Sequence, residues 1–173
     1  MKKRVLAFLL VLLSALGLWA GKYNDIGLTI GLGTTKVPTK EVSFSYGLDL
    51  GLTEKLEVEF WGISDILPQP GAHTTVGADL VLSLMGERNT GSKVSGINLN
   101  TLVSVGGFYS FSDKGAGVEV GLVPLLVGSP SISKREKILK TNIGYDCVNR
   151  KAFVAFSLLE LEVYLKGTFR DFI

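Results

Sequence analysis

The chain has 173 residues, 18 Lys plus Arg against 16 Asp plus Glu, and a mean hydropathy of +0.35. That length gives one domain rather than two sizeable ones. The net charge of +2 leaves no basic patch for nucleic acid, because three of the bases lie within the first four residues. A single cysteine, Cys147, excludes an intramolecular disulfide, and one histidine with one distant cysteine makes no zinc site.

The first segment reads as a secretory leader. Lys2, Lys3 and Arg4 form a positive start, Val5 to Leu16 is apolar apart from Ser14, and small residues follow at Gly17, Ala20 and Gly21. This predicts a signal peptide over 1–20, with residues 21–173 as one exported domain. The apolar run is short for a spanning helix. Without the leader the domain becomes slightly acidic.

Beyond it, the dominant signal is alternation of apolar and small or polar residues, the mark of strands with one apolar face. Ile26, Leu28, Ile30 and Leu32 form the first run, and Val42, Phe44, Tyr46, Leu48 and Leu50 the second. Leu56, Val58 and Phe60 follow, then Val76, Ala78, Leu80, Leu82 and Leu84. Ile97 to Phe111 gives a fifth strand, and Val118, Val120, Leu122, Pro124 and Leu126 mark the sixth. Leu139, Thr141, Ile143 and Tyr145 form the seventh, and the segment from Ala152 through Leu159, Leu161, Val163 and Leu165 the eighth. Connections are expected at 34–40, 53–55, 65–75, 86–93, 112–116, 128–136 and 147–151, where Gly, Pro, Ser, Asn or charged residues gather. Pro124 requires a bulge or an edge. The fold class predicted is all-β: a single antiparallel up-and-down barrel of about eight strands, closed so that no edge is left exposed.

Alternation does not say which face looks outward. The face opposite the aliphatic residues is rich in Gly, Ser and Thr with scattered charges, which suits the crowded interior of a small barrel with its apolar face on lipid. The aromatics also gather by strand end. Phe44, Tyr46, Phe60, Trp61, Phe108, Tyr109, Phe111, Tyr145, Phe153 and Phe156 flank the connections of one end. Of these, Phe44, Tyr46, Phe60, Trp61, Tyr109, Phe111, Tyr145 and Phe153 are taken as an interfacial belt.

With its leader, its alternating strands, the short turn in Gly51-Leu52-Thr53-Glu54-Lys55-Leu56 and a final strand near the C-terminus, the chain resembles the small outer-membrane barrels of double-membraned bacteria. These are the eight-stranded OmpX, OmpA-barrel and OmpW class, and the resemblance is one of architecture. It implies a transmembrane location and, as partners, outer-membrane lipid and the barrel-assembly machinery. Leu161, Val163, Leu165 and Phe169 fit the terminal signal that such machinery reads, although Phe172 is penultimate and Ile173 last, where the class usually ends in an aromatic residue.

No catalytic residue, metal ligand or cofactor site is assigned. His73 lies in an outer connection two positions before Thr75, and a threonine hydroxyl is a poor nucleophile in that setting. The lumen-facing charges are read as Asp49, Glu57, Glu59, Asp79, Glu119, Lys140, Asp146, Glu160 and Glu162, with Lys166 and Arg170 added if the last strand continues. So many carboxylates against so few bases predict either a narrow cation-preferring lumen or a hydrogen-bonded plug. The alternative is a soluble periplasmic ligand-binding barrel of lipocalin type, its aliphatic face turned inward around an apolar pocket.

Overall fold

The computed structural model describes residues 25–35, 42–66, 73–88, 91–94, 97–129 and 134–165. The segment read as a leader, together with Lys166, Phe169, Arg170 and Phe172, lies outside these residues. The described strands are β1 (Ile26–Thr34), β2 (Ser43–Gly51), β3 (Leu56–Asp65), β4 (Thr74–Ser83), β5 (Ser92–Val94), β6 (Ile97–Ser110), β7 (Gly115–Ser129), β8 (Lys134–Asp146) and β9 (Lys151–Leu165). Among the described residues there is no helix.

Eight of these strands close into an antiparallel barrel. Each pairs with the strand before and after it, β9 returns to β1, and β4 pairs directly with β6. Closure is set by Ile26 opposite Leu165 on one side and by Thr75 opposite Ser110 on the other. Strand β5 is a three-residue piece that extends β6 beyond the barrel rim. The connection expected over 128–136 is shorter than the sequence suggested, because β7 runs to Ser129 and β8 starts at Lys134. The turns at 111–114 and 147–150 both end on a non-glycine residue with positive φ, Lys114 at 49° and Arg150 at 54°. The near end of the barrel carries the turn after Gly51 and the segment after Ser83. The far end carries the strand ends at Thr34, Ser43, Asp65 and Thr74 and the turns at 111–114 and 147–150.

The barrel is polar inside and apolar outside. Leu28, Val105, Val118, Val120 and Val163 are more than half exposed, while Asp49, Glu57, Glu162 and Arg135 are at most 1% exposed. Strict alternation dictates this along β1 to β4, where side chains i and i+2 share a face.

Alternation breaks once in each of β7, β8 and β9, in one row across the sheet. Val123 and Leu126 both point inward, with Leu125 outward between them. Lys137 and Lys140 are both buried while Leu139 is exposed at a φ of 59°. Ser157 and Glu160 are buried while Leu158 and Leu159 are exposed. The three strands stay in register with each other through this row. The register shifts against their outer neighbours, between Asn100 and Leu102 on β6 and between Leu32 and Gly33 on β1. Each of the three strands thus carries one extra residue, a bulge that spans three strands and ends on each flank. Pro124 sits in this row, which accommodates its missing N–H, and its carbonyl accepts from Thr101 Oγ1 at 3.0 Å. The bulge reverses one expectation: Leu126, placed with Val118, Val120 and Leu122 by periodicity, is fully buried inside.

The charged and aromatic interior as candidate functional site

The near half of the lumen is filled by an ion-pair network that β8 supplies with its cations. Arg135 Nη2 lies 2.7 Å from Glu57 Oε2 and its Nε 2.6 Å from Glu162 Oε2. Lys137 Nζ reaches Asp49 Oδ1 at 3.0 Å and Glu59 Oε1 at 2.8 Å. Lys140 Nζ reaches the same Glu59 oxygen at 2.6 Å and Glu160 Oε2 at 3.9 Å. Asp49 also accepts from Thr29 Oγ1 at 2.8 Å. These carboxylates come from β2, β3 and β9, so the network ties together strands on opposite walls. Buried charges persist only when paired and hydrogen-bonded in this way.

A fourth cation arrives from outside the strands. The segment after β4 turns back over the near mouth, and Arg88, 3% exposed, reaches into it. Its Nη1 lies 2.5 Å from Asp25 Oδ1 and its Nε donates to the Thr53 carbonyl at 2.8 Å. The turn is fixed from both sides. Arg88 N donates to the Glu54 carbonyl at 2.8 Å, and Arg135 Nη1 donates to the Arg88 carbonyl at 3.1 Å. Asn100, which donates to Ser83 Oγ at 2.7 Å and to the Glu87 carbonyl at 3.1 Å, supports it from β6. The opposite wall of this half is apolar: Val81, Leu102, Val123 and Leu126 pack together.

The far half is closed by aromatic side chains. Trp61, Ile63, Phe108 and Ala155 form a buried cluster with Phe153 against it, and the Phe108 and Phe153 rings stack 3.7 Å apart. Trp61 fits because Gly77 lies opposite it on β4, and a Cβ at Gly77 would collide with the indole ring. Between the two halves, beside Trp61, Lys140 and Glu160, lies a gap of about 10 Å³, about the room one water needs. Above the Phe108–Phe153 floor a cup of about 200 Å³ opens at the far end, lined by His73, Thr75, Ser110 and Asp113 among others.

Of the charges assigned to the lumen from sequence, Asp49, Glu57, Glu59, Glu160, Glu162 and Lys140 meet in the near-half network. Asp79 and Glu119 lie apart from it, deeper in the barrel. Asp146 sits at the far rim, where its carboxylate accepts from the backbone N–H groups of Val148 and Asn149 at 3.0 and 2.9 Å and so shapes the last turn. Of the aromatics assigned to the belt, Phe44, Tyr46, Phe60, Tyr109, Phe111 and Tyr145 are between 38% and 57% exposed on the outer surface. Trp61 and Phe153 instead turn into the lumen. The reason is geometric: Phe60 and Trp61 are consecutive on one strand, so they must face opposite sides.

Periodicity alone missed Arg88, Arg135 and Lys137. Counting back from Lys140 with period two places Arg135 and Lys137 outside, and the bulge at Leu139 reverses that. The sequence does carry a signal for it. Adjacent apolar pairs interrupt the alternation at Leu125-Leu126, Ile138-Leu139 and Leu158-Leu159, the positions of the bulge row. Arg88 carries no such signal, because it enters from a turn.

His73 donates its backbone N–H to Asp65 Oδ2 at 2.8 Å and lines the cup together with Thr75. Among the described residues, no group of three or more His, Cys, Asp or Glu side chains is arranged to hold a metal ion, and no helix is long and apolar enough to cross a membrane, which says nothing about a barrel crossing with strands. Comparison with protein-family models, curated protein sequences and solved structures gives no match for this chain.

Proposed function

We propose that this chain is a small outer-membrane β-barrel, exported by its leader, with a structural rather than a conducting or catalytic role. The observation that carries the reading is the inverted polarity of the barrel. Aliphatic side chains such as Leu28, Ile30, Val105, Val118 and Val163 cover the outside, while carboxylates, arginine and lysines fill the inside. In water this arrangement forgoes about 1.5–3 kcal/mol for each large apolar side chain left exposed. In a bilayer the same residues are solvated by acyl chains and the closed ladder leaves no strand edge. The outward aromatics at the far end fit headgroup depth. A packed interior favours a structural role over solute passage. Outer-membrane lipid and the barrel-assembly machinery are the partners that this reading implies.

The soluble lipocalin-type alternative needs the aliphatic face turned inward around an apolar pocket, and the observed polarity does not favour it. The test is extraction. The processed chain should remain in the envelope pellet after salt, urea and carbonate, and its unheated band should migrate differently from the boiled one. Recovery as a freely soluble periplasmic monomer would overturn the proposal.

A further inference from the structure

We infer that Asp79 and Glu119 form a carboxylic acid–carboxylate pair that binds one exchangeable proton inside the barrel. The strand register brings them together. Asp79 on β4 pairs with Gly106 on β6, and Gly106 pairs with Glu119 on β7, so the two carboxyl groups flank a residue without a side chain. A Cβ at Gly106 would collide with Asp79 Oδ1, so the glycine leaves the space that the two groups share. Their side chains are within hydrogen-bonding reach of each other, and each residue is 2% exposed.

The surrounding donors satisfy only half of the pair. Asp79 Oδ2 accepts from Ser104 Oγ at 2.9 Å and Asn142 Nδ2 at 3.3 Å. Glu119 Oε1 accepts from Trp61 Nε1 at 3.1 Å. The other two oxygens, Asp79 Oδ1 and Glu119 Oε2, are buried with no donor. The groups that face the pair from packed strands are Trp61 of β3, Ser104 of β6, and Asn142 and Lys140 of β8. Lys140 is the cation among them, and its ammonium is held by Glu59 and Glu160. Two adjacent buried carboxylates repel each other, and an orphaned charged acceptor is costly, so both cannot stay ionised here. One proton turns one oxygen into a donor to the other and removes the repulsion, as in other buried carboxyl dyads.

Infrared spectroscopy of the purified, folded chain at neutral pH tests this, in whichever medium dissolves it, detergent or buffer. Wild type should show the carbonyl stretch of a protonated carboxyl group, shifting slowly on transfer to heavy water because the site is enclosed. Glu119→Gln and Asp79→Asn should each abolish it. Each amide supplies the donor that the orphaned oxygen lacks, so both variants should fold, with the gel mobility of the wild type. Glu136→Gln, at a half-buried ion pair with Lys134 on another part of β8, should leave the band intact. Absence of the band in wild type, or its survival in both variants, overturns the inference. So does a wild type without the band whose unfolding midpoint rises with added sodium or potassium, since the ligand would then be a metal cation.

Discussion

Lys137 and Lys140 lie three residues apart on one strand, yet both place their ammonium groups on the same carboxylate oxygen, Glu59 Oε1, at 2.8 and 2.6 Å. On a regular strand, positions i and i+3 face opposite sides. Here the extra residue at Leu139 turns the second lysine back into the lumen. The bulge therefore decides the charge balance of the interior, since it brings Arg135 and Lys137 to carboxylates that would otherwise have one strand cation among them.

Removing one of these cations should be far costlier than removing a surface one. Lys137→Ala removes the shortest ion pair of Asp49 and one of the two that Glu59 makes, all at full burial. The expected loss is about 3–5 kcal/mol, the range for breaking a buried pair. Lys151→Ala removes the pair with Asp113, whose side chains are 51% and 39% exposed, and should cost about 1 kcal/mol or less. Denaturant unfolding of the two variants beside wild type checks the ordering. Equal losses would mean that Lys137 does not hold the network.

Much of the barrel was legible from the chain because two faces with different chemistry force period two, and eight such runs could be counted. The inner carboxylates Asp49, Glu57 and Glu59 could be read because β2 and β3 carry no bulge. What failed was parity in the second half. A single inserted residue leaves composition unchanged and only shifts phase, so Leu126 took the wrong face when periodicity was extended across it, and Arg135 and Lys137 were not counted among the lumen charges. The inward turn of Trp61 and Phe153 was hidden for another reason: aromatic residues are favourable both in an interfacial belt and in a packed core, so type alone does not assign a side.

The outward face gives a test that separates lipid from water. Leu80 and Leu82 are 45% and 39% exposed on β4, and their strand partners Val58, Val105, Leu56 and Val103 are all apolar. In a bilayer, Leu80→Arg should cost about 2–4 kcal/mol, more than at Leu82, which is one residue from the end of β4. In a water-soluble barrel the same exposed position should tolerate arginine within about 0.5 kcal/mol. Unfolding of the variant in lipid vesicles measures the difference. Ser83 is no control for it, since its hydroxyl is bonded to the Gly86 carbonyl at 2.8 Å and the lumen there has no room for a long side chain.

The aromatic closure of the far half depends on the absence of a side chain at Gly77. Gly77→Val places two methyl groups where the Trp61 indole now lies. The ring must leave its position beside Phe153 and lose the hydrogen bond to Glu119. Overpacking of this kind costs about 1–3 kcal/mol. The expected outcome is a barrel that still forms but has a lower unfolding midpoint and a weakened near-ultraviolet signal from Trp61. An unchanged tryptophan spectrum would show that the ring does not sit over the glycine.

Conduction is the last property that the interior decides. Ions crossing the barrel would have to pass the Arg88 turn, the Arg135–Lys137–Lys140 network and the Phe108–Phe153 stack in series, with a gap of about 10 Å³ between the halves. Wild type reconstituted in a planar bilayer should therefore show no steady conductance. Glu57→Gln combined with Glu59→Gln should not open a path, because the side-chain volumes barely change. It should instead leave Arg135, Lys137 and Lys140 with fewer counter-charges, lowering stability by about 3–5 kcal/mol while the bilayer current stays at baseline. Steady cation-selective current in wild type, weakened in the double variant, would mean that the network is a hydrated path and not a plug.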